Sequence, residues 1–263
     1  MMAVCPLFHT LFINAKKYPE FFDPAELCPY CDEPWPVNPS EKLQEARRNL
    51  DLQSYPDSEY AENPLHRSVP GGFVKSISVC MLHRFEAHTL REAQLNGWPM
   101  QIDFDGLYPR VVELIPQVRP LITHPTTSEY YWLARKLYNE VGSTAAQSIM
   151  GQYQDFESYS AGYYGEVGAR IIRLTLEIYI TDEIPPPLSH SDFLDKVLLP
   201  EIAVRLIQED MGLPRDMAIG TVSRSRLFGL GMYPDDDGEA GSFIVKKIAE
   251  VYRKDLQKRG EFF

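Results

Sequence analysis

Two short motifs constrain this chain more than anything else in it: Cys28-Pro29-Tyr30-Cys31 and Cys80-Met81-Leu82-His83. The first lies among Pro24, Pro29, Pro34, Pro36 and Pro39, so residues 23–40 read as a rigid loop and not a long helix. The second lies in an apolar stripe of helical spacing, Val79, Leu82, Phe85, Leu90 and Ala93, that stops at Gly97. Three residues along a helix make nearly one turn, so Cys80 and His83 project from one face, roughly 4.5 Å apart along the axis. Three thiolates and one imidazole form a closed tetrahedral set for a structural zinc ion. Residues 32–79 separate the pairs, which is longer than a finger spacing, so the site clips a loop to a helix.

His88 competes for the fourth position but stands about 12 Å further along the axis than Cys80 and points elsewhere. The predicted ligands are therefore Cys28, Cys31, Cys80 and His83. A redox CxxC of the thioredoxin kind follows a strand and opens a helix, and this loop does neither. A nucleobase deaminase needs H-x-E upstream of P-C-x-x-C. Here Leu27 precedes Cys28, and the pair His83 and Glu86 is downstream with the wrong spacing. A closed four-ligand set leaves no position for a reactive water, so this metal is expected to be structural.

A formal net charge of -11 argues against tight, non-specific binding to phosphate backbones. No run approaches the roughly 18 apolar residues of a membrane span, so the chain is expected to be soluble and away from membranes. Met1 to Asn14 is apolar but has no basic start and no small-residue cleavage site. It reads as a core segment or as a product of where the gene model begins. Four cysteines are too few to staple a chain of 263 residues, and Asn38-Pro39-Ser40 is disqualified for glycosylation by its proline. A reducing compartment follows.

The remaining pattern predicts a mainly α, multi-helix globular fold with an N-terminal zinc-binding lobe and few short strands. Ser40 caps a helix running to about 52 with Leu43, Ala46 and Leu50 on its apolar face. A long loop over 54–72 follows. Further helices are expected at 79–96, 105–122, 127–141, 165–181, 191–211, 215–232 and 242–258, with Pro200 kinking or splitting the fifth of these. The boundaries are an N-terminal segment over 1–24, a main domain over 25–237 and a C-terminal helix over 238–263. Within the main domain the zinc lobe covers about 25–100 and the helical core about 101–237.

Other motifs carry less. Gly162-Tyr163-Tyr164-Gly165-Glu166-Val167-Gly168 precedes a strong stripe and could cradle an anion, but Glu166 repels phosphate and no Gly-Lys-Ser follows, so a tight turn is favoured. Asp235-Asp236-Asp237-Gly238 lacks two oxygens of a calcium loop and reads as a solvated turn. Lys246, Lys247, Arg253, Lys254, Lys258 and Arg259 give the last helix a basic bias, read first as an outer face and second as a nucleic-acid contact. Tyr130-Tyr131-Trp132 is expected in the core. No G-x-S-x-G, H-E-x-x-H or Walker loop is present, and no acid–base constellation is assignable, so no enzyme is expected. A deep pocket gathering Tyr163, Tyr164 and Glu166 would argue otherwise.

In order along the chain, Leu27-Cys28-Pro29-Tyr30-Cys31-Asp32-Glu33-Pro34, Asn63-Pro64-Leu65, Cys80-Met81-Leu82-His83-Arg84-Phe85-Glu86, Gly97-Trp98-Pro99, Ile102-Asp103-Phe104, Phe156-Glu157, Gly162-Tyr163-Tyr164-Gly165, Leu199-Pro200-Glu201 and Ile207-Gln208-Glu209-Asp210 resemble the C-terminal domain of the fungal restriction of telomere capping protein 4 family. The resemblance spans about residues 25–237. It implies a genetic link to telomere capping, a nuclear and cytoplasmic location, and no established catalytic activity. Longer members often carry a polar N-terminal extension not seen in this sequence, so any targeting or partner function held there is not expected to carry over. The expected function is a non-enzymatic, zinc-stabilised helical module that binds a protein partner, in telomere- or chromatin-linked regulation. The alternative is nucleic-acid binding through the basic helix and the zinc lobe.

Overall fold

The first described α-helix begins where the sequence places a cap. In the computed structural model, which describes residues 23, 26–57, 63, 65–141, 160–184, 186–234, 243, 246–251, 253, 254 and 257, the Ser40 hydroxyl accepts from the Leu43 amide and opens α1, Glu41–Asp51. An accepted N–H is one fewer orphan donor at a helix start. The chain divides into two compact units, Met1–Glu92 and Ala93–Phe263.

In the first unit α1 buries Leu43 and Leu50. A two-stranded antiparallel ribbon follows, β1 Tyr55–Pro56 and β2 Arg67–Ser68, with Tyr55 opposite Ser68 and Pro56 opposite Arg67. Then comes α2, Ile77–Arg84, which buries Val79, Cys80 and His83. The expected single helix over 79–96 is interrupted: Phe85–Thr89 form a wide turn of the i→i+5 kind before α3, Leu90–Asn96. Such a bulge re-aims the side chains that follow it. The unit boundary falls within α3, between Glu92 and Ala93.

In the second unit the regular elements among the described residues are all helical. Its elements are α4 Leu107–Val118, α5 Pro120–Thr123, α6 Glu129–Val141, α7 Gly165–Tyr179, α8 His190–Phe193, α9 Leu199–Met211 and α10 Arg215–Met232. Pro200 splits the stretch expected at 191–211. A wide turn over Leu194–Leu198 separates α8 from α9, and Pro200 takes an early position of α9 where its missing N–H costs nothing. At its other end α9 stops at Gly212 in the left-handed conformation, with φ 63°.

The core of this unit is α9, which buries Leu199 to Val204, Leu206 and Ile207. A helix buried on nearly all sides has neighbours on all sides, and α4, α7 and α10 supply them. Where Gly162 and Gly165 cross the end of α10, backbones meet. A β-carbon on Gly165 would stand 2.3 Å from the Gly229 carbonyl oxygen, and its φ is 65°. Only glycine satisfies both conditions.

Tyr130 and Tyr131 are buried as expected, but Trp132 is not: half of its surface is exposed. Three consecutive helical residues span about 200° of arc, so they cannot share one face. Residues 246–251 are helical. Asp235-Asp236-Asp237-Gly238, Phe156-Glu157, the segment 1–22, Lys258 and Arg259 lie outside the described residues. No helix among those described is long and apolar enough to cross a membrane.

Candidate metal centre

The Cys28–Cys31 turn is shaped by its own backbone before anything binds to it. The Asp32 amide donates to the Cys28 carbonyl at 3.0 Å, and the Cys28 amide to the Glu33 carbonyl at 2.8 Å. Leu27 and Pro34 form an antiparallel bridge outside that loop. Asp32 adopts φ 58°, a left-handed conformation that Asp tolerates better than most residues. Its carboxylate accepts from the Asn63 amide at 2.6 Å, and Asn63 in turn accepts from the Leu65 amide. The Arg67 amide donates to the Pro29 carbonyl at 2.8 Å, which ties β2 to the turn.

Helix α2 brings the second pair. Cys80 and His83 are buried on one face, and the next residue, Arg84, pairs with Glu33 at 2.7 Å. The wide turn after α2 presents Glu86 to the start of α1. Its carboxylate accepts from the Ser40 amide at 2.8 Å and from the Ser40 hydroxyl. Glu86 is thus a capping group and not an acid–base partner of His83.

The result is one cluster. The ligand atoms of Cys28, Cys31, Cys80 and His83 all lie within 4.8 Å of one another, with Cys31 half-buried and the other three buried. A tetrahedron with metal–sulfur bonds of about 2.3 Å has edges near ~3.8 Å, so closure on an ion needs movements of about an ångström at most. The three cysteines are free thiols. His83 turns Nε2 toward Cys31 Sγ at 3.2 Å. His88 is exposed and takes no part. These four residues can hold a metal ion.

Electrostatics agrees with the donor set. Hydrogen bonds from Cys28 and then from Cys80 hold the Cys31 thiol far below its ordinary range. The same bond to Cys31, followed by one to Cys80 and by burial, drives Cys28 far above it. Cys80 is pushed up to about 12: a bond with Cys28 lowers it, but the bond with Cys31 and burial outweigh that. A divalent cation held by the three sulfurs and the imidazole would displace the thiol protons.

Cys28, Cys31, Cys80 and His83 were legible as a set from spacing. Two side chains around them were not. Tyr30, between the cysteines, donates its hydroxyl to Asp51 of α1 and is pushed up to about 12, by burial and then by that bond, so it stays a donor. Trp35 stacks on His83, with ring centroids 5.4 Å apart. Neither has a spacing signature; both depend on where α1 lies.

The Gly162–Gly168 turn does not cradle an anion. The amides of Glu166 and Val167, at the start of α7, already donate to the Tyr233 carbonyl at 3.0 and 3.3 Å. Tyr163 and Tyr164 are buried, and their hydroxyls donate to Asp210, which also accepts from Arg110 at 2.8 Å. Burial first, then Asp210 among other groups, pushes both tyrosines well above the usual phenol range. The motif is spent on packing the helical unit.

Residues 123–234 match the family model described as RTC4-like domain. That span covers under half of the chain. It contains the Gly162–Gly165, Leu199–Glu201 and Ile207–Asp210 segments of the resemblance and none of the four cluster residues. No curated protein and no solved structure matches the chain.

Proposed function

From a chain whose residues 123–234 match the RTC4-like domain, we propose a zinc-stabilised, non-enzymatic module that binds a protein partner in nuclear, telomere- or chromatin-linked regulation. The zinc is structural and is held by Cys28, Cys31, Cys80 and His83. The observation that carries the metal reading is the convergence of three thiols and one imidazole within 4.8 Å from two segments far apart in sequence. Sulfur-rich tetrahedral sets favour zinc over calcium or magnesium, which take oxygen ligands. Because four protein ligands complete the coordination, the ion has no open position and contributes to folding.

The non-enzymatic reading rests on how polar groups in the helical unit are used. Tyr163 and Tyr164 are engaged with Asp210, and the amides of Glu166 and Val167 with Tyr233. A net charge of -11 weighs against nucleic acid, and Lys247 of the basic stretch is paired with Asp105.

Elemental analysis of the purified chain, expected to give one zinc per molecule, tests the metal. A chain prepared in zinc-containing medium that carries none refutes it. Affinity capture with the intact chain and with Cys28→Ala tests the partner: a specific protein recovered by the first and lost with the second supports the module. Salt-sensitive capture of nucleic acid alone replaces it with the alternative.

A further inference from the structure

We infer that the Trp35 indole face positions His83 as a metal ligand, in place of the hydrogen bond that such a histidine ordinarily makes. The inference rests on the zinc reading of the cluster. A ligating histidine commonly donates its second N–H to a carboxylate, carbonyl or water, which fixes both its tautomer and the rotation of its ring. His83 is fully buried with Nε2 at 3.2 Å from Cys31 Sγ, and its Nδ1 has no hydrogen-bond partner among the described residues. None of the described residues therefore sets the ring rotation through Nδ1.

What meets the imidazole is Trp35. The two rings stack with centroids 5.4 Å apart and planes 25° from parallel. An imidazole bound to a cation carries part of its charge, and the indole face is the best of the aromatic faces for positive charge. The stack thus strengthens when metal binds and selects the ring rotation that aims Nε2 at the sulfurs.

Trp35 is itself held from two directions. Its amide donates to the Glu26 carbonyl at 2.7 Å. The Arg47 guanidinium carbon lies 4.8 Å from the indole centroid, and Arg47 lies 3.7 Å from Asp51 one turn along α1. Asp51 is also the acceptor for Tyr30, between the two loop cysteines. Helix α1 thus supports the sulfur turn through Tyr30 and the imidazole through Trp35, although it supplies no ligand.

The test is a cobalt(II) titration of the full chain, reading the thiolate charge-transfer and d–d bands, with affinities from chelator competition. Trp35→Leu and Trp35→Phe are measured in the natural sequence and again with His83→Cys. In the natural sequence Trp35→Leu is expected to weaken binding about tenfold or more and to alter the d–d envelope, with Trp35→Phe intermediate. With His83→Cys there is no imidazole to orient, and neither change at position 35 should matter. Equal losses in both backgrounds would show that the ring only supports the fold and would overturn the inference, as would unchanged affinity in the natural sequence. If Trp35→Leu does not fold, Trp35→Phe in the two backgrounds makes the same comparison. A natural sequence with no charge-transfer band removes the zinc reading itself, a different failure from the loss of Trp35's role.

Discussion

Among its described residues, the unit of residues 1–92 buries a small apolar cluster, Cys28, Tyr30, Leu43, Leu50, Val79 and Cys80, two of whose members are proposed metal ligands. The unit of residues 93–263 buries almost every face of α9 against α4, α7 and α10. Its buried charge, Glu201, is answered within the protein: Arg215 at 2.7 Å, Arg205 and Ser128 all donate to it. One unit thus gathers thiols that need a cation, and the other gathers a carboxylate that already has its cations. A small apolar core leaves stability to cross-links, whereas a large one supplies it by burial.

Removing the metal should separate the two units most. Cys80→Ser, or a strong chelator, removes an apparent binding term on the order of 10 kcal/mol. Amide exchange should accelerate across residues 41–84 while α9 and α10 stay protected. Uniform exchange across both would break the comparison. Lowering the pH below the thiolate range should have the same local effect, since protons compete with the metal for sulfur.

Gly165→Ala should come next, this time in the helical unit. Its β-carbon would overlap the Gly229 carbonyl, with a left-handed φ in addition, and about 3–5 kcal/mol is the expected loss. A thermal melt within a degree of the natural protein would show that the crossing can relax.

Glu201→Gln should cost about 3 kcal/mol or more by leaving two buried-side guanidiniums without their carboxylate. The pH sign follows from the folded state. Burial pushes the Glu201 carboxyl up, but hydrogen bonds from Arg215, Arg205 and Ser128 outweigh it and hold it below the usual carboxylate range. Its contribution is therefore complete above the ordinary glutamate value near ~4.3 and is lost as pH falls through the lowered folded value. Acid titration of Glu201→Gln should lack that part of the transition. The smallest effect is expected from Ser40→Ala, about 1 kcal/mol from loss of the α1 cap, confined to the metal-bearing unit.

Much of this was readable in the chain because it depends on short-range periodicity. Ser40 announces α1, Gly97 ends α3, and Pro200 marks the split before α9; each acts through residues within a turn or two. The interruption at Phe85–Thr89 was not readable, since an apolar stripe continues across a wide turn with little change. Trp132 was misplaced in the core because a cluster of aromatics says nothing of which helical face each one occupies.

For the Cys28–Cys31 and Cys80–His83 pairs, sequence determined the donor chemistry and the internal geometry of each pair, because a proline-fixed turn and one helical turn are local structures. It could not determine what backs the pairs or which nitrogen of His83 faces the sulfurs. Those depend on the packing of α1 beside the loop and α2, where Arg47, Asp51 and Glu86 find partners from 12 to 46 residues away. Long-range contacts of that kind leave no period in a sequence, and tertiary structure alone decides them.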